Sequence, residues 1–188
     1  MATASWPARD APGADLAGAV MDYVVAGLPM HVLLVHVVVV AVPVLVLLLI
    51  VVGVWPAARR VLWLPCLIVA VALIPLTLIT VEAGKWLQQR VPAAPLIEVH
   101  TGRGEDLVPW AIGLLVVAVA VAGWAILERV GRRRGAGRPA RRMVIAMSAV
   151  LTLGAVGVGA GATWTLILIG ESGSRAVWEG GFSDEPLG

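Results

Sequence analysis

Four long apolar stretches dominate the chain and restrict the folds that are open to it. They run over about 30–54, 61–81, 107–127 and 143–169. Each reaches the roughly 20 residues that a helix needs to cross the hydrocarbon of a bilayer. Backbone groups in lipid must bond within the protein, and none of the stretches alternates as a barrel strand does. The sequence therefore predicts an all-α polytopic membrane protein, a bundle of four transmembrane helices.

The composition agrees with a chain that has little soluble mass. Of its 188 residues, 60% are apolar and 14% are charged, which lies outside the usual range of soluble domains. We expect residues 21–178 to form the transmembrane domain. Residues 1–20 and 179–188 have no core to join and are predicted to be disordered tails. The first apolar stretch has full spanning length and no basic, cleavable leader, so no cleavage is expected.

The charged residues are divided between the two ends of the predicted bundle. Arginines fill the connections after the first and third stretches, namely Arg59, Arg60, Arg129, Arg132, Arg133, Arg134, Arg138, Arg141 and Arg142. The other segments hold eleven of the twelve acidic residues, and Glu128 is the exception. The positive-inside rule makes the arginine-rich connections cytoplasmic, so both termini are extracytoplasmic in a cell membrane. Without interleaved aromatics, the segment from Arg129 to Arg142 predicts contact with anionic lipid and no nucleic-acid partner.

Histidines and carboxylates gather at the predicted extracytoplasmic end. The candidate ligands are His31, His36, Glu82, His100, Glu105 and Glu171. Ionisable side chains in a membrane are costly and indicate function by default, and mixed imidazole and carboxylate sets suit divalent transition metals. The first functional hypothesis is therefore a metal-binding cluster of these residues with a redox or metal-handling role. A hydrogen-bonded polar cap that binds nothing is the structural alternative.

His36 and haem raise two further points. His36 lies in a purely apolar run and needs a partner for its N–H, for which Glu82 is suited. Small membrane bundles also hold b-type haem between histidines. Because the later stretches contain no histidine, the axial pair would have to combine His31 or His36 with His100, or use a different second ligand. The sequence contains no phosphate loop, nucleophile elbow or His-Glu-x-x-His motif, so an enzyme is not expected.

The fourth stretch carries a seam of small residues. It includes Gly154, Gly157, Gly159 and Gly161, and Gly157 and Gly161 form a GxxxG motif, which lets another helix approach closely. That helix belongs either to the same chain or, through Gly154, Gly157 and Gly161, to a homo-oligomer or a membrane-protein partner. The second functional hypothesis is therefore a non-catalytic subunit or scaffold that docks a partner there.

Two sequence patterns extend these predictions. The second and fourth stretches both end in Glu-x-Gly, at Glu82 to Gly84 and at Glu171 to Gly173, which would make the two glutamates equivalent in a repeat of two hairpins.

The segment from Gly27 to His36 carries a Gly-x-Pro-x-His-x-x-x-x-His motif. With Thr80 to Gly84, Glu98 to Glu105 and Gly170 to Trp178, it resembles the bacterial membrane proteins called domain of unknown function 2231.

The resemblance covers most of residues 27–178. It implies a four-helix membrane fold, and it draws attention to the motif-matching residues His31, His36, Glu82, His100 and Glu105. It implies no activity, since that family is uncharacterised.

Overall fold

A computed structural model of the protein describes residues 22–134 and 140–180. The described residues form five α-helices and one short β-hairpin. The helices are α1 (Met30–Val54), α2 (Pro56–Gln88), α3 (Pro95–Gly104), α4 (Leu107–Arg133) and α5 (Arg141–Trp178). In the hairpin, β1 (Val24–Val25) pairs antiparallel with β2 (Leu28–Pro29). The predicted disordered tail 1–20, and residues 181–188 of the second tail, lie outside the described residues.

The four long helices agree with the sequence prediction. Four helical segments are long and apolar enough to cross a membrane, namely α1, α2, α3 together with α4, and α5. An all-helical chain with four helices of spanning length is therefore confirmed, and it is consistent with a multi-pass membrane protein. Each predicted span lies within one of these helices, and three of the helices continue past the predicted bounds into more polar sequence.

Two elements were not predicted, and both lie at the same end of the molecule. The expected connection 82–106 contains the last turns of α2 and the whole of α3, which begins at Pro95, where the missing proline N–H removes no helical hydrogen bond. The hairpin turns at Ala26 and Gly27, with φ of 51° and 79°, the positive values that a tight I′ turn requires. This hairpin leads the chain into α1.

The core of the protein lies along the middle of the long helices. It contains fully buried residues from every long helix, among them Leu45, Leu73, Leu114 and Ala155. Helices α1 and α4 each contact both α2 and α5, so the four long helices surround one core. Many valines and leucines on the opposite faces are exposed, as expected where lipid replaces water as the solvent.

Side-chain contacts define two ends of this helix arrangement. At one end, which we call the histidine end, the start of α1 meets the end of α2 through His31, and α3 meets the end of α5 through His100. At the other, the arginine-rich end, the start of α2 meets the ends of α1 and α4 through Arg59. The two ends are therefore separated by the length of α1, which has 25 residues and a rise of about 1.5 Å per residue.

The glycine seam of α5 is divided between the protein interior and the surface. A Cβ atom on Gly161 would collide with the ring of Trp110 in α4, and one on Gly154 would contact Val117, also in α4. Gly157 is exposed, and no described atom outside its own helix lies within 4 Å of where its Cβ would be. Two of the three glycines predicted to dock a partner thus face α4 of the same chain.

The divided seam predicts opposite effects of two matched substitutions. Gly161→Ala should lower the free energy of unfolding by about 1–3 kcal/mol, because the added methyl group overpacks the contact with Trp110. Gly157→Ala should leave it unchanged or slightly raised, since alanine favours helix over glycine. Denaturant titration of the two purified variants in detergent measures both effects. A comparable loss in Gly157→Ala would contradict this division and indicate a partner on that face.

Candidate functional site

His31 lies in the first turn of α1, directly after the hairpin. Its Nδ1 atom is 2.9 Å from the backbone oxygen of Thr80 in α2. A carbonyl oxygen can only accept, so the neutral imidazole donates from Nδ1–H and keeps the lone pair on Nε2. The start of α1 is therefore tied to the end of α2, and the second ring nitrogen of His31 is left as a ligand or acceptor.

His100 adopts the same protonation pattern from a different element. It lies in α3, and its Nδ1 atom is 3.1 Å from the hydroxyl oxygen of Ser172 in α5. That hydroxyl donates its own hydrogen to the backbone oxygen of Ile169 at 2.8 Å, so it accepts the hydrogen bond from His100. The lone pair of this imidazole is again on Nε2.

The two imidazoles are neighbours at the histidine end and lie edge to face. Their ring centroids are 6.0 Å apart and the ring planes make an angle of 76°. Each ring lies against a glycine of a long helix: a Cβ on Gly84 would lie 3.0 Å from Nδ1 of His31, and one on Gly173 would lie 2.9 Å from Cε1 of His100. These are the glycines of the two Glu-x-Gly segments. The similarity of the segments therefore has a structural counterpart in the glycines rather than the glutamates.

A cavity of about 670 Å³ adjoins the histidine pair. Most of its wall is apolar, contributed by α1, α2, α3 and α5, with the hydroxyl groups of Thr77, Thr80 and Thr101 among the polar exceptions. Exposed residues such as Val40 of α1 and Val177 of α5 form part of its lining, so the cavity opens sideways between these two helices. Its volume is in the range of about 300–1,000 Å³ that is typical of cofactor and ligand sites.

His36 does not bind the partner that the sequence suggested. Its Nδ1 atom is 2.6 Å from the backbone oxygen of Val32, one turn earlier in α1, and the residue is exposed beside the cavity. Glu82 instead forms an ion pair with Lys85. The expected pair between His36 and Glu82 is therefore corrected: a backbone carbonyl of the same helix satisfies the imidazole N–H.

The carboxylates predicted as ligands pair with cations. Lys85 binds both Glu82 and Glu105, at 3.0 and 2.8 Å, and Arg175 binds Glu171 at 2.9 Å. Lys85 lies three residues from Glu82 and Arg175 lies four residues from Glu171, the spacing at which helical side chains meet. Over residues 22–134 and 140–180, no three His, Cys, Asp or Glu side chains could hold one metal ion. The predicted six-residue cluster is thus not assembled, because the glutamates face neighbouring cations.

Four residues that complete the site were not singled out as functional from the sequence. Thr80 and Ser172 hold the two imidazoles, and Gly84 and Gly173 make room for them. The repeated Glu-x-Gly was the available signal. In each of these segments the glutamate was predicted to be functional, whereas the glycine is the residue that contacts the imidazole ring.

Known proteins add nothing to this description. No family model, no curated protein and no solved structure matches the chain. The resemblance to domain of unknown function 2231 therefore stays a prediction, and function has to be inferred from the site itself.

Proposed function

We propose that the protein is a membrane haem protein that holds one b-type haem between His31 and His100. The observation that carries the proposal is the matched state of the two rings. In its neutral form each ring donates from Nδ1–H to an acceptor, at Thr80 or Ser172, and its Nε2 atom has no hydrogen-bond partner among the described residues. Metal-bound imidazoles characteristically donate their other N–H in this way, which fixes the ring and its tautomer.

The spacing of the rings supports ligation of one metal by both. Metal–imidazole bonds of roughly 2 Å would require the two Nε2 atoms to be about 4 Å apart, and rings with centroids 6.0 Å apart can meet that requirement. With no third ligand of the His, Cys, Asp or Glu type beside them in the described chain, two protein ligands favour a cofactor that supplies the remaining ones. A haem does so through its four pyrrole nitrogens.

The surroundings of the two histidines fit a large flat cofactor better than a bare ion. The adjoining cavity has mostly apolar walls, whereas a hydrated divalent cation would need polar ones. Gly84 and Gly173 leave the space behind each ring that a side chain would fill. When bound, haem supplies one-electron redox chemistry. The residues of this chain would orient the two imidazole rings through the Nδ1–H hydrogen bonds.

We infer in addition that the histidine end faces the extracytoplasmic side. Among the described residues, the arginines beside the α1–α2 and α4–α5 connections lie at the opposite end of the helices, and the positive-inside rule assigns that end to the cytoplasm. Both termini are then extracytoplasmic, and the haem would lie in the outer half of the cell membrane. Its exchange partners would reach it from outside the cell or from the bilayer.

Titration with haemin tests the proposal directly. The full-length protein, purified in detergent, should bind one haem per chain and develop a Soret band that changes on reduction as expected for two histidine ligands. Zinc ion, titrated in parallel, should not bind stoichiometrically. Zinc binding without haem binding, or the absence of both, would contradict the proposal.

The hydroxyl of Ser172 gives a finer test. Ser172→Ala removes the acceptor of the His100 N–H, and loss of such a partner typically weakens metal affinity about 10–100-fold. Ser174→Ala, two residues along the same helix, is the matched control, because its hydroxyl has no bond to either imidazole in the described structure. We expect weakened haem binding in the first variant and no measurable change in the second. Equal affinities would show that Ser172 does not orient a ligand.

A further inference from the structure

His36 is an ionisable residue on the outside of a membrane-spanning helix. Apart from His31, the other side chains of α1 are apolar, yet His36 is exposed on the helix surface rather than turned into the core. Such a side chain facing lipid is costly and is retained mainly where it has a function. The proposed haem site uses His31 and His100 and leaves His36 without a role.

The hydrogen bonding of His36 restricts what it can bind. Its Nδ1–H is donated to the backbone oxygen of Val32 at 2.6 Å, so the neutral ring has a lone pair on Nε2. Within the described parts of the chain, that atom receives no hydrogen bond. His36 can therefore accept a hydrogen bond from a ligand, and in this tautomer it cannot donate one.

The position of His36 adds a second restriction. It lies about 7.5 Å along the helix from His31, by the helical rise of five residues, and it lines the cavity that opens between α1 and α5. Gly170 of α5 also lines this cavity, is exposed, and has no described atom outside its own helix within 4 Å of where its Cβ would be. Because the exposed lining residues lie on α1 and α5, a ligand can reach the cavity from the bilayer between these two helices.

We propose that His36 is the hydrogen-bond acceptor of a binding site for a hydroquinone of the bilayer. The occupant has to arrive through lipid, be flat enough to pass between two helices, and carry a hydroxyl group that donates to Nε2. A hydroquinone meets all three requirements, whereas a phospholipid acyl chain lacks the donor. The role of this binding site rests on the proposed function. A hydroquinone bound at His36 would lie beside the haem, and hydroquinones are a class of molecule that exchanges electrons with haem.

Calorimetric titration of the haem-free, full-length protein with duroquinol tests the site. Duroquinol is a tetramethyl hydroquinone, and its dimethyl ether has the same ring but no hydroxyl to donate. Both are titrated without oxygen in the same detergent. Duroquinol should bind at least about tenfold more tightly than the ether, the factor that corresponds to one hydrogen bond. Equal binding of the two would overturn the proposal and indicate a nonspecific apolar pocket.

Variants locate the ligand and separate this proposal from the haem proposal. His36→Ala should weaken duroquinol binding about tenfold, and Gly170→Leu should weaken it by closing the opening. Val37→Ala is the control, since Val37 is exposed on the next position and does not line the cavity. Unchanged duroquinol affinity in His36→Ala would overturn the proposal.

The haem titration of His36→Ala tests whether His36 belongs to the haem site or to a second site. An unaltered Soret band supports two distinct sites. Loss of the band would assign His36 to the haem and overturn the hydroquinone site. Failure of the unaltered protein to bind haem would contradict only the proposed function, because the duroquinol titration does not use haem.

Discussion

Replacing either His31 or His100 by alanine is expected to abolish stoichiometric haem binding. Each variant loses one of two axial ligands, so the loss of affinity should exceed the roughly 100-fold that removal of a ligand's hydrogen-bond partner can cause. The measurement is the haemin titration of each purified variant, followed by the Soret band. The two histidines lie on different elements, α1 and α3, but each is one of the two axial ligands. Both variants should therefore show the same loss of haem affinity.

Two controls separate lost ligation from lost folding. Imidazole added to the solution can occupy the space that the shortened side chain leaves, so it should restore the six-coordinate spectrum in His31→Ala and His100→Ala. His36→Ala, a substitution in the same helix as His31 but outside the pair, should bind haem as the unaltered protein does. Full haem affinity in either ligand variant, without added imidazole, would contradict the assignment of the axial pair.

The four long helices of this protein could be predicted because a helix needs a minimum length to cross the hydrocarbon of a bilayer. A stretch such as 30–54 contains no polar side chain except the two histidines near its start, and a helix is what satisfies its backbone in a bilayer. The region 82–106 offered no such constraint, since it lies beyond the apolar stretches. Its helix α3 depends on local signals around Pro95 and on contacts with α5, which sequence periodicity does not reveal.

The residue types of the candidate site could be predicted from the sequence, but which of these residues contact one another could not. His31 with His100 was one of two axial pairs that the sequence left open, and the structure brings these two rings together. The carboxylates were grouped with the histidines because all lie at one end. Their binding to Lys85 and Arg175 follows from side-chain direction, which depends on how each helix is rotated. Helix rotation is set by packing and is not given by distance along the chain.

Arg59 is the clearest case of a residue misjudged from the sequence. It was counted with Arg60 among the arginines of the connection after the first apolar stretch, but it lies in the first turns of α2 and is fully buried. Its guanidinium donates to the backbone oxygens of Val52 and Gly53 and to the carboxylate of Glu128, at 3.0, 3.1 and 3.2 Å. The connection between α1 and α2 is too short to expose it.

The contact with Val52 has a cause in the sequence. In a continuous helix, the oxygen of Val52 would accept from the N–H of residue 56, but Pro56 has none. Arg59 supplies the missing donor and thereby closes the end of α1. Glu128, the single acidic residue predicted at the cytoplasmic end, then neutralises the buried guanidinium. One arginine thus ties the ends of α1 and α4 to the start of α2.

Glu128→Leu is therefore expected to lower the free energy of unfolding by about 3–5 kcal/mol, because it leaves a buried guanidinium without its counter-ion. The double variant Arg59→Met with Glu128→Leu should lose less, about 1–3 kcal/mol, since no buried charge remains but the oxygen of Val52 loses its donor. Arg60→Ala, at the exposed neighbouring position, should change little. Denaturant unfolding in detergent measures all three. If the double variant were as unstable as Glu128→Leu alone, packing and not charge would hold this end together.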